Sequence, residues 1–266
     1  TIDKANYFAF KVDDIEEAHS HVNFQSLASD RAAYRLGDQF DQDVLGYLTG
    51  FKQSATHGSP DTVNTTTNGS VAVSTAGTDE LLSSMKIDAA AFGGSAGASL
   101  ALQPRTGGAT DSTPAAGDTF PLTVIARMSR LLDQQNVDTQ GRWLVVDPVF
   151  MELLKDEDSR LFNADFGGSG LQNGQVGTNI HGFRVYTSNN LPTVGTGPSF
   201  TGTNSTTNYG MIVAGHDSAV ATAEQINKTE TYRDPDSFSD IVRGMHLYGR
   251  KILRPEALVN AKYHLA

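Results

Sequence analysis

The hydrophobic positions of this chain change period several times, and each change marks an element. Tyr7-Phe8-Ala9-Phe10-Lys11-Val12 is aromatic and β-branched and predicts a strand. Asp13-Asp14 then offers an acidic cap, Glu16 and Glu17 fill a first helical turn, and no proline occurs until Pro60. Ala33, Leu36, Phe40, Val44, Leu48 and Phe51 follow at intervals of three or four residues. The pattern predicts one helix from Asp14 to about Leu48, ~50 Å long at ~1.5 Å per residue. Gly37 and Gly46 weaken it by about 1 kcal/mol each relative to alanine. A helix this long needs something elongated to lie on, and reads as a strut.

From Gln53 to Gly117 the chain turns to Thr, Ser, Gly and Ala and reads as an elaborated insertion, with one short helical piece around Glu80–Met85. Helical periodicity returns over 120–136 through Leu122, Ile125, Met128 and Leu132, with Pro121 in the first turn. Trp143–Val146 is a short buried strand that stops at Asp147-Pro148, and a second helix runs through Val149, Phe150, Leu153 and Leu154. After a Gly/Asn loop come the strands Phe183–Thr187 and Tyr209–Ala214. The last third, Thr229–Tyr232 and Gly244–Leu265, is mostly strand with a break at Arg254-Pro255. Strands and helices mix without regular βαβ alternation and without a fixed-period repeat. That pattern predicts α+β rather than a doubly wound sheet.

Composition narrows the function. At 266 residues the chain can bury a core of its own, roughly 70–75% of its extended surface. The absence of cysteine excludes a disulfide scaffold, a thiolate metal site and a Cys nucleophile. A formal charge of −10 argues against binding nucleic acid or an anionic membrane through bulk charge, and no apolar run has the length of a membrane span. Charged residues are only 19% of the chain, below the ~25% usual for soluble domains. Thr62–Thr78, Phe166–Phe183 and Val185–His216 carry no charge at all. These stretches read as ordered loops or as surface hidden by neighbours. The chain opens at Thr1 without Met, directly in a strand-like pattern, so the natural N-terminus is expected upstream.

Candidate chemistry is sparse. Gly93-Gly94-Ser95-Ala96-Gly97 matches the nucleophile elbow G-x-S-x-G, with His181, His216 or His246 as a base and Asp147 as the orienting acid. The elbow needs a strand before it, and Asp88–Phe92 is a poor one. His19 and His21 stand two apart on the predicted helix and point in different directions. Asp156, Glu157 and Asp158 lack calcium-loop spacing and read as a solvated turn. Gly167-Gly168-Ser169-Gly170 lacks the lysine of a phosphate loop. Arg250, Lys251 and Arg254 are too few for nucleic-acid recognition and read as exposed strand-face or intersubunit charge. The sequons at Asn64, Asn68, Asn204 and Asn227 follow from composition. No catalytic, metal or cofactor site is predicted. A strut helix, charge-poor loops and edge-rich strands suit a protein that contacts copies of itself.

The order of segments resembles the major capsid protein of tailed bacteriophages, the Hong Kong 97-type shell fold, in a podovirus-like branch. The resemblance rests on Asn6–Val12 leading through Asp13-Asp14 into the long helix, and on the helix 120–136 before Gly141-Arg142-Trp143-Leu144-Val145-Val146-Asp147-Pro148. Leu153-Leu154-Lys155-Asp156 with Arg160-Leu161-Phe162 comes next, then His181–Tyr186 with Ser188-Asn189-Asn190-Leu191-Pro192. Ala214-Gly215-His216, Ala223–Ile226, Glu230–Arg233 and Tyr248–Leu258 complete it. It implies a peripheral domain over 1–52, carrying the end of an extended-loop strand and the spine helix. A loop-rich insertion at 53–117 matches nothing in the family. An axial domain over 118–243 follows, and strands at 244–266 return to the peripheral domain.

The same resemblance implies self-assembly into hexamers and pentamers of an icosahedral shell around double-stranded DNA, without sequence-specific binding. It also implies scaffolding and portal proteins as partners, no membrane, no enzymatic activity, and a place in the virion after assembly in the host cytoplasm. The family's N-terminal arm and most of its extended hairpin would precede Thr1, and nothing supports a covalent cross-link between subunits. Two alternatives stand beside it. One is a serine hydrolase using Ser95. The other is a decoration or adhesin protein, suggested by the Thr/Asn-rich loops and opposed by the long amphipathic helix.

Overall fold

A computed structural model describes residues 2, 4–13, 24–49, 81–103, 118–155, 179–194, 198 and 208–265. The predicted helical residues 14–23 with His19 and His21, the insertion segments 53–80 and 104–117, Asp156–Asp158, Arg160–Phe162, Gly167–Gly170 and Asn64, Asn68 and Asn204 lie outside them. The chain forms two compact units, one of residues 1–44 and 220–251 and the other of residues 45–219 and 252–266.

The smaller unit is a three-stranded sheet with a helix on one face. Its strands are β1 (Lys4–Asp13), β10 (Val220–Arg233) and β11 (Ser239–Ile252), in the order β1-β11-β10. β1 and β11 run antiparallel from Lys4↔Tyr248 to Asp13↔Ser239. Burial alternates along β1: Asn6, Phe8, Phe10 and Val12 are half-buried, while Ala5, Tyr7, Ala9 and Lys11 are exposed. That is the period of a strand with one covered face. The cover is α1 (Phe24–Thr49), whose Phe40 ring meets Tyr248 edge-on at 4.8 Å and His246 at 5.6 Å. Gly244 lies opposite Phe8, and a Cβ there would collide with the Phe8 ring. The glycine gives the ring its seat.

The larger unit is built on a nine-stranded sheet. Its strands are β2 (Lys86–Ile87), β3 (Leu100–Leu102), β4 (Asp118–Thr119), β5 (Arg142–Val146), β6 (Asn179–Ile180), β7 (Phe183–Thr187), β8 (Thr193–Val194), β9 (Tyr209–His216) and β12 (Leu258–Leu265). The main order is β4-β3-β12-β9-β5-β7-β6, with β2 on β12 and β8 on β9. α2 (Pro121–Gln134) packs on β12 and α3 (Pro148–Leu154) on α2. Val124, Ile125, Met128 and Leu132 form the buried face of α2, the stripe expected of an amphipathic helix. α3 begins where Asp147 accepts a hydrogen bond from the Phe150 amide at 3.0 Å, with Pro148 in the first turn.

Two sequence expectations need correction. Residues 81–103 are not a loop-rich insertion. Leu81, Met85, Ile87, Leu100 and Leu102 are buried, and β2 and β3 both pair with β12. Strands of two and three residues are too short to carry a readable period, so composition masked them. The chain also does not divide at 243/244. β10 and β11 belong together in the smaller unit, and β12 lies inside the sheet of the larger one. β12 alternates polar with apolar residues, which reads as a one-faced strand. Every residue from Leu258 to Leu265 is nevertheless buried. The polar side chains find partners: Asn260 donates to the Thr49 carbonyl, Lys262 to the Gly97 carbonyl, and His264 bonds Ser99 at 2.8 Å.

Candidate interaction surfaces

The elbow geometry fails at Ser95. A nucleophile elbow runs from strand to helix, whereas here a 3-10 turn (Ala89–Phe92) precedes the motif and β3 follows it. Gly93 (φ 87°) and Gly97 (φ 78°) take left-handed backbone, which explains glycine at both. Asp88 accepts hydrogen bonds from the amides of Ala90 (3.1 Å) and Gly97 (2.7 Å), and Lys262 holds the Gly97 carbonyl. Burial lowers the Lys262 ammonium from the ordinary lysine range, and Asp88 opposes that. The motif is an exposed loop pinned to the sheet.

The proposed triad partners have other work. Asp147 is buried and caps α3, and it accepts a hydrogen bond from the Tyr263 hydroxyl. His216 bonds the Gln140 carbonyl and Ser218, each at 2.8 Å. His181 lies in the exposed turn between β6 and β7. His246 belongs to the smaller unit, where it meets Glu224 at 3.2 Å. Among the described residues no group of His, Asp or Glu is arranged to hold a metal ion, and no helix is long and apolar enough to cross a membrane.

Desolvation raises the Asp147 carboxyl above the ordinary range, against the lowering effect of its Tyr263 and Phe150 hydrogen bonds. A raised folded-state value means the protonated form is favoured by folding. The stability it brings is therefore present at low pH and lost as pH rises through the folded-state value. Asp147→Asn keeps the acceptor oxygen and removes the charge. It is expected to be more stable than the parent at about pH 7, with the difference vanishing below about pH 4. Denaturant titrations at both pH values check this, and a pH-independent difference would refute it.

Of the basic cluster, Lys251 and Arg254 are exposed as expected, and Arg250 is not. Arg250 is no exposed strand-face charge: its guanidinium meets the carboxylate of Asp43, which is 1% exposed. Arg254 pairs with Glu256 at 3.0 Å.

The surface offers exposed aromatic and apolar side chains set among paired charges. On the sheet face away from α1, Tyr7 is 80% exposed beside its cross-strand partner Met245. Arg243 stacks 5.1 Å from the Tyr232 ring while bonding Glu230. Lys228 first and Arg243 second pull the Glu230 carboxyl down to about 2. Tyr, Met and Arg are residue types enriched in protein–protein contacts, while Lys228 and Glu230 beside them are types depleted there. No sequence motif marks this face, because its residues come from three strands.

The chain and its fold are similar to known phage proteins. A family model described as phage capsid protein matches residues 82–261. No curated protein sequence matches. The fold is similar to a structure of Mycobacterium phage Che8, with TM-score 0.63, 25% identity, and coverage of 97% of this chain and 70% of the other. It is also similar to the capsid of cyanophage P-SCSP1u, with TM-score 0.65, 18% identity, and coverage of 100% and 73%. The capsid of Ralstonia phage GP4 matches with TM-score 0.62, 11% identity, and coverage of 99% and 73%.

Proposed function

Since the chain belongs to the phage capsid protein family, we propose that it works as the repeating subunit of an icosahedral shell, the major capsid protein of a tailed phage with a Hong Kong 97-type fold. The family match over residues 82–261, within a fold shared with phage capsids over nearly the whole chain, carries this reading. Copies associate as hexamers and pentamers. The smaller unit, with the spine helix and its sheet, takes the peripheral role, and the larger unit takes the axial role at the capsomer centre. Scaffolding and portal proteins are the expected assembly partners, and the host cytoplasm is the expected site of assembly.

The physical case for a shell subunit is consistent with its chemistry. A single contact built on a few exposed side chains is weak, and a closed lattice multiplies it while leaving errors free to anneal. A net charge of −10 disfavours tight binding to phosphates, so DNA is enclosed rather than gripped. Sedimentation of the purified chain at rising concentration should show capsomer-sized species far above one chain's 28.4 kDa. A chain that stays at one subunit's mass throughout, with and without neighbouring phage gene products, would refute the reading.

A further inference from the structure

We draw no further inference here: the strongest candidate, the patch of Tyr7, Met245 and Tyr232 on the sheet face of the smaller unit away from α1, is an exposed face for which nothing in the structure shows what covers it, and contact between copies there is already part of the shell reading.

Discussion

Arg250→Met should destabilise the chain by about 3–5 kcal/mol, because it strands the buried Asp43 carboxylate without its charge partner. Asp43 is 1% exposed on α1, and Arg250 lies on β11 with its guanidinium also on the Asp43 carbonyl. The pair ties helix to sheet within the smaller unit. Much of the loss is the isolated charge rather than the worth of the pair. Asp43→Leu combined with Arg250→Met should therefore recover more than half of it. Denaturant unfolding of the four members of this cycle gives the answer. An Arg250→Met variant within about 0.5 kcal/mol of the parent, the range of ordinary surface changes, would show that the ion pair does not hold the helix.

Val44→Pro strikes the same element through its backbone. Proline at this interior position of α1 removes the hydrogen bond that the residue-44 N–H donates to the Phe40 carbonyl and drives its ring against that carbonyl, at a cost of about 3 kcal/mol or more. Phe40 is the residue that sits on Tyr248 and His246, and Asp43 is its neighbour in the pair above. The kink should displace both, so helicity by circular dichroism and unfolding midpoint should fall together. Retention of both would mean that α1 is not a strut.

The long periodic elements were legible in the residues. The alternation in β1 and the three-to-four spacing through Leu36, Phe40 and Val44 correspond to real faces, as does the stripe of α2. What was hidden depended on partners. β12 looks one-faced until Thr49, Gly97 and Ser99 are seen to satisfy its polar side chains. Ser95 looks catalytic until its flanking elements prove to be in the wrong order. Arg250 looks exposed until Asp43, 207 positions away, is found beside it. The exposed Tyr7, Met245 and Tyr232 belong to three strands. No linear motif records that arrangement.

The most direct measurement is electron microscopy of the chain expressed with its neighbouring phage gene products, with Val44→Pro as the comparison. The account predicts closed, angular shells of uniform diameter from the parent and none from the variant. Only small, separate particles from the parent, under conditions where the protein is folded, would contradict it.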